Sequence, residues 1–335
     1  MQTKISNQAI VDLSKKTNGS SDTAAFAQHV AEGLSQNPKK LSSRYFYDAT
    51  GSKLFQKIMD LPEYYLTRCE FEVLNDNRQA MANHFAQDSF FHLIDLGAGD
   101  ALKTKILLKA LQNQQSDFDY VPIDISGDAI SHLHQNLDFE FPNIKSNAVI
   151  GEYFQALEWL QQNKSERKVV LFLGSNIGNF DATESLSFLH SIRSYLTAGD
   201  KLLLGVDLRK DPYTILKAYD DASGVTAAFN LNLLKRINEE LGGNFDLYKF
   251  RHYPLYNPQE GVMKSFLLSE RKQEVYLEAL DRTFSFEAWE AIHTENSYKY
   301  SLPQVEEMGR RCGFKIETVF QDKRQFFADV LFSVD

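Results

Sequence analysis

Gly97 and Gly99 follow directly on the apolar run Leu93-Ile94-Asp95-Leu96 and stand shortly before a helical pattern over 105–111. A strand that ends in Gly-x-Gly and passes into a helix leaves backbone N–H groups and a helix N-terminus at the carboxyl edge of a sheet. That is where α/β proteins seat nucleotides. A dinucleotide fingerprint has a third glycine three residues on, where this chain has Leu102. The turn therefore suits a ligand with a nucleoside and no phosphates. Asp124 ends a second apolar run over 118–125, roughly 25 residues past Gly99, and is an acid placed to bond ribose hydroxyls. Ser126 and the helical pattern over 128–137 leave helix capping as the other reading of Asp124.

These residues need a sheet to hold them. A short run at 147–150 ends in Gly151-Glu152-Tyr153-Phe154, and 168–173 is continuously apolar, as in a strand buried on both faces. The latter stops at Gly174-Ser175-Asn176-Ile177-Gly178-Asn179, a second Gly/Asn turn expected at the same sheet edge. With helical patterns at 155–163 and 183–196 and a fifth strand at 201–206, the alternation predicts an α/β, doubly wound, Rossmann-like sheet over about 70–209. The alternation then breaks: 213–241 reads as helix interrupted at Gly224, and 248–268 and 274–286 as antiparallel strands. A helix at 301–312 and a strand pair at 314–319 and 326–334 most economically complete the sheet.

Polar aromatic residues cluster outside that sheet. Between Arg44 and Arg68 lie Tyr45, Tyr47, Tyr64 and Tyr65. Tyr45 and Tyr64 read equally well as core packing. Asp48, Thr67 and Arg68 move Tyr47 and Tyr65 toward a pocket, since buried phenols need polar partners. Along 292–300 polar groups recur at period two, so Glu295, Ser297 and Lys299 share one face of an extended segment. A charged edge strand is the plain alternative.

Composition narrows the chemistry. The 335 residues are 43% hydrophobic and 24% charged, ordinary for a globular protein, and the net charge of −9 argues against a nucleic-acid partner. Two cysteines are too few for a disulfide scaffold or a structural zinc site. No apolar stretch reaches membrane-spanning length, and residues 1–20 contain no signal-peptide core, so a cytoplasmic protein is expected. HExxH, CxxC and GxxxxGK[ST] are all missing, and Ser175 directly follows Gly174, one position too early for a nucleophile elbow. No metal site is expected. The two-glycine turn, the ribose acid and the acidic chain together favour S-adenosylmethionine as cofactor. An NAD-dependent Rossmann oxidoreductase is the rival on the same fold, and a non-catalytic nucleoside-binding module the third reading.

The set Arg44-Tyr45-Phe46-Tyr47-Asp48, Leu61-Pro62-Glu63-Tyr64-Tyr65, Asp95-Leu96-Gly97-Ala98-Gly99, Gly174-Ser175-Asn176-Ile177-Gly178-Asn179, Tyr219-Asp220-Asp221 and Thr294-Glu295-Asn296-Ser297 resembles the histidine-specific methyltransferase family. The likeness runs from about residue 38 to the C-terminus. It implies S-adenosylmethionine-dependent Nα-methylation of L-histidine to hercynine, a step of ergothioneine biosynthesis. By that resemblance Gly97, Gly99, Lys103, Asp124, Glu152 and Tyr153 would line the cofactor site. Tyr65, Asn179 and Tyr219 would hold the amino and carboxylate groups, Tyr65 and Asn179 serving catalysis, with Tyr47 close by. Glu295 and Ser297 would bond the imidazole. Two departures stand out: Glu152-Tyr153 replaces an expected Asp-Phe pair, and Ser265 stands where relatives often have Met beside the substrate. Another amino acid is therefore the alternative substrate. The resemblance further implies a methyltransferase domain of 70–209 plus 297–335 and a discontinuous substrate-binding domain of 1–69 plus 210–296. A monomer acting on a small molecule is the expected state.

Overall fold

The computed structural model describes residues 8–13, 22–87 and 89–335. Cα packing divides them into two compact units. The first comprises the described residues up to 13, 68–208 and 300–335. Its eight-stranded sheet has the order Gln8–Asp12, Lys145–Ile150, Phe118–Asp124, Phe91–Leu96, Arg167–Phe172, Lys201–Asp207, Phe327–Ser333, Lys315–Gln321. Every pair up to Lys201–Asp207 is parallel, and the last two strands are antiparallel.

Phe91–Leu96 and Lys201–Asp207 are buried at every position, as strands covered on both faces must be. Ile94 and Leu96 enter one apolar core and Phe91 and Leu93 another, the alternation a strand imposes. From Phe91–Leu96 the chain moves outward through Phe118–Asp124 and Lys145–Ile150, then returns to Arg167–Phe172 on the other side. The strand order reverses there, and such a switch point opens a crevice at the carboxyl ends. Both glycine turns leave the two strands that flank it.

The second unit comprises the described residues of Gly19–Thr67 and Arg209–Lys299. Its four-stranded sheet runs Lys39–Lys40, Ala291–Tyr298, Val262–Ser269, Phe250–Asn257, and Gln273–Leu277 forms a separate hairpin with Arg282–Phe286. Helices Asp22–Ser35, Ala49–Met59 and Val225–Leu241 contribute Phe26, Val30, Ile58, Phe229 and Leu233 to its core.

Three boundaries differ from expectation. Gln8–Asp12 pairs in parallel with Lys145–Ile150, so these residues join the large sheet and not residues 22–67. The Ala9-Ile10-Val11 run is too short to show a period. Helix Tyr65–Ala86 runs across the boundary expected at 70, because Tyr65, Leu66, Cys69 and Val73 are buried at helical spacing. The division expected at 297 falls after Lys299, since strand Ala291–Tyr298 carries Ser297 together with Glu295. No described helix is long and apolar enough to cross a membrane, and no cluster of metal-ligating side chains occurs among the described residues.

Candidate active site

In the first unit, strand Phe91–Leu96 ends in the turn at Gly97, whose φ of +75° is the left-handed region that glycine adopts without penalty. A Cβ there would stand 2.9 Å from Tyr153 Oη and 3.7 Å from Asn176 Nδ2, so a phenol and an amide both close on this backbone. Gly99 N–H donates to Asp124 Oδ2 at 3.0 Å, and Ser126 N–H to Asp124 Oδ1 at 2.9 Å. The turn's N–H is thus directed onto a carboxylate and is not left for a phosphate. Each Asp124 oxygen retains acceptor capacity for ribose hydroxyls. Burial raises the Asp124 pKa against the bonds from Ser126 and Gly99. Asp95 accepts from Thr104 Oγ1 at 2.6 Å and Tyr120 Oη at 2.8 Å, so this acid braces the turn from behind.

Lys103 Nζ lies 2.5 Å from Glu70 Oε2, and Gly174 N–H donates to Glu70 Oε1 at 2.6 Å. One buried carboxylate therefore ties the first glycine turn to the second. Burial works against the Lys103 charge, but Glu70 outweighs it and raises the pKa. Asp329, behind Glu70, is fully buried, and neither carboxyl oxygen has a partner among the described residues. Burial, then the Glu70 charge, raises its pKa well above the usual carboxylate range. Gly205 is small for the same reason: a Cβ would meet Glu70 Oε1 at 2.6 Å and Asp329 Oδ1 at 3.1 Å. Glu152 is exposed at the N-terminus of helix Tyr153–Asn163, while the Tyr153 ring packs edge-on against Phe172 and Phe188 at 5.7 and 5.8 Å. Asn179 closes the short turn Asn176–Asn179, which Ser175 enters at φ +57° while its Oγ accepts from Asp207 N–H at 2.9 Å.

In the second unit a β-bulge between His293 and Glu295 shifts the phase of strand Ala291–Tyr298. Ile292 and Thr294 are buried before it, Ser297 and Lys299 after it. Beyond the bulge the register is regular, so Glu295, Ser297 and Lys299 share a face as the spacing requires. Glu295 pairs in register with Ser265, which is 1% exposed. Burial pushes the Glu295 carboxyl up to about 7, against the pull of the Lys299 charge. Tyr219 Oη donates to Ser297 Oγ at 2.8 Å, and Lys299 Nζ donates to Tyr219 Oη at 2.8 Å and to Ser297 Oγ at 2.7 Å.

Tyr65 is 3% exposed and its Oη accepts from Lys210 Nζ at 3.0 Å. Tyr47 is exposed, with its ring edge-on to Phe55 and Phe229. Phe55, Tyr64 and Tyr219 continue the aromatic row with centroids 6.3 and 6.2 Å apart. Asp221 caps helix Val225–Leu241 by accepting from Val225 and Thr226 N–H. Although burial opposes it, the bonds from Ser223 and Thr226 hold its pKa at about 2.

Gly97, Gly99, Lys103, Asp124 and Tyr153 thus gather around one turn, with Glu152 on a neighbouring helix start. Tyr219, Glu295 and Ser297 gather around Lys299, and Tyr65 sits with Lys210. Asn179 belongs to the first unit and the other amino-acid residues to the second. Glu70, Asn176 and Lys210 were not anticipated. Asn176 lies in the Gly/Asn turn already singled out, and Glu70 had a possible signal as an acid among the buried positions of its helix.

A largely parallel sheet with a Gly-x-Gly turn at its switch point, and an acid at the end of the neighbouring strand that takes the Gly99 N–H, defines a Rossmann-like fold of the nucleoside-binding class. Residues 26–334 match the family described as histidine-specific methyltransferases, SAM-dependent, and the chain belongs to that family. Its methyl donor, S-adenosylmethionine, overturns the nicotinamide alternative. The chain is 38% identical over 276 residues to the histidine N-alpha-methyltransferase of Mycobacterium tuberculosis, covering 82% of this chain and 84% of that one. Its likeness to the same-named protein of Mycolicibacterium smegmatis is 38% over 286 residues, 85% and 88% of the two chains. Ergothioneine biosynthesis protein 1 of Neurospora crassa is 30% identical over 83% of this chain and 31% of its own length.

Proposed function

We propose that the chain methylates the α-amino nitrogen of L-histidine and carries the product to the trimethylated betaine. The observation that carries this reading is the paired face of strand Ala291–Tyr298, where an acid protonating near 7 and a hydroxyl stand two residues apart. An imidazole offers one N–H and one bare nitrogen, and an acceptor with a neighbouring hydroxyl answers both.

Gly97, Gly99, Lys103, Asp124, Glu152 and Tyr153 would hold S-adenosylmethionine, with Asp124 on the ribose. Bound there, S-adenosylmethionine supplies a methyl group on a sulfonium, an electrophile for an amine lone pair. The residues themselves have to orient an uncharged amine, and orientation alone can supply roughly 7–11 kcal/mol. Tyr65 suits that task. It is buried, and its oxygen accepts from Lys210 Nζ. Asn179 is proposed for the amine on the resemblance alone. Neither side chain carries a charge that would trap the growing ammonium product.

Incubating the purified chain with methyl-labelled S-adenosylmethionine and each of the twenty amino acids tests this, with the mono- and dimethyl forms of histidine included. Histidine and both partly methylated forms should accept label. Label on another amino acid and none on histidine would replace the reading with the alternative that Ser265 motivates.

A further inference from the structure

Lys299 is 1% exposed, and its ammonium lies 4.8 Å from the centroid of the Tyr219 ring. A buried ammonium has to be met by hydrogen-bond partners, and two of its three donors are placed. They go to Tyr219 Oη and to Ser297 Oγ, the hydroxyl of the candidate imidazole site. An ammonium can only donate, so it occupies a lone pair on each oxygen. The hydroxyls are also bonded to each other at 2.8 Å. With Tyr219 donating, both lone pairs of Ser297 are filled and the outward hydrogen belongs to Ser297.

We propose that Lys299 is a positioning residue that makes Ser297 an obligatory hydrogen-bond donor and so sets the specificity of the site for a neutral imidazole. The inference rests on the imidazole reading given above. Beside Ser297 the Glu295 carboxylate, in its ionised form, accepts only. The strand therefore presents one acceptor and one donor, the complement of a ring with one N–H and one bare nitrogen. A ring whose bare nitrogen is replaced by C–H leaves the Ser297 hydrogen without an acceptor. Without Lys299 the serine hydroxyl can rotate and accept, and the penalty against such a ring disappears.

The two pyrrolylalanines are the probes, because each keeps one ring N–H of histidine and has C–H in place of the other nitrogen. The ratio of kcat/KM for histidine to that for the better pyrrolylalanine is measured in wild type, Lys299→Met, Lys299→Arg and Ser297→Ala. Lys299→Met should lower the ratio by roughly tenfold, the worth of one hydrogen bond, with the Kd for S-adenosylhomocysteine within twofold of wild type. Lys299→Arg, still a pure donor, should keep most of the ratio. Ser297→Ala should lower it as Lys299→Met does, and the double variant should lower it no further. A Lys299→Met protein that binds S-adenosylhomocysteine normally but keeps the wild-type ratio would overturn the proposal. So would equal losses on histidine and pyrrolylalanine. If Lys299→Met does not fold, Ser297→Ala decides, and a retained ratio there is equally fatal. Wild-type protein that accepts pyrrolylalanine as readily as histidine would instead overturn the imidazole reading itself.

Discussion

Replacing Glu295 with Gln should stabilise the folded protein at pH 8 while weakening its hold on histidine. The carboxyl protonates near 7 where an exposed glutamate does so near 4.5. At about 1.4 kcal/mol for each tenfold, the ionised form is about 3 kcal/mol worse off folded than unfolded. Water reaches part of this half-buried side chain, which reduces the figure to roughly 2 kcal/mol. The raised pKa fixes the sign: this contribution to stability is complete below about 4.5 and is lost as pH rises through about 7. Gln never ionises, so the variant's advantage is absent at the acid end and full by pH 8. Thermal melts followed by circular dichroism should place the variant roughly 4–8 °C above wild type at pH 8 and level with it near pH 4.5. The same variant should raise the histidine KM about tenfold, because a neutral amide is a weaker acceptor than a carboxylate, with S-adenosylhomocysteine affinity unchanged. A variant no more stable than wild type at pH 8 would show that the acid is already compensated and the reasoning from burial mistaken.

Glu70→Ala leaves the Lys103 ammonium without its buried partner and frees Gly174 N–H, so S-adenosylhomocysteine should bind at least tenfold more weakly and folding should lose about 3–5 kcal/mol. Isothermal titration with a denaturant melt checks both, and an unchanged Kd would make Glu70 a core acid with no bearing on the cofactor. Gly97→Ala places a methyl 2.9 Å from Tyr153 Oη, whereas Gly99→Ala meets nothing within 4 Å. Both incur the left-handed backbone penalty of roughly 1–2 kcal/mol, but only Gly97→Ala should be partly rescued, in cofactor affinity, by Tyr153→Phe.

The sheet was legible because central parallel strands are continuously apolar and their turns are rich in glycine, so Phe91–Leu96 and Arg167–Phe172 announce themselves. The edge strand Gln8–Asp12 did not, since a short edge strand has little apolar face to display. The common face of Glu295, Ser297 and Lys299 could be read from spacing alone, but the bulge ahead of Glu295 could not, because one extra residue leaves no mark in composition. Glu70 was hidden for another reason. It reaches Gly174 across 104 residues of sequence, and long-range partners of a lone acid have no local pattern.

Two acid and lysine combinations in this chain behave oppositely, and the difference lies in whether the lysine bonds the acid. Lys103 bonds Glu70 directly, so the pair is compensated and Glu70 can serve as a fixed brace. Lys299 is near enough to pull on Glu295, yet it also bonds Tyr219 and Ser297, and that carboxyl has no side-chain hydrogen bond among the described residues. A charge acting through space offsets burial only in part, and the acid is left protonating near 7. An acid in that condition gains more from an incoming N–H than a paired one could. By this logic the bonds of Lys299 to the hydroxyl pair have two consequences: they aim the Ser297 hydrogen, and they hold the ammonium off the carboxylate. Ser297→Ala should therefore let Lys299 turn toward Glu295 and lower the Glu295 pKa from about 7, which an NMR titration of the glutamate side chain can follow. A value unmoved in that variant would mean the strand backbone, and not the hydroxyls, keeps the two charges apart.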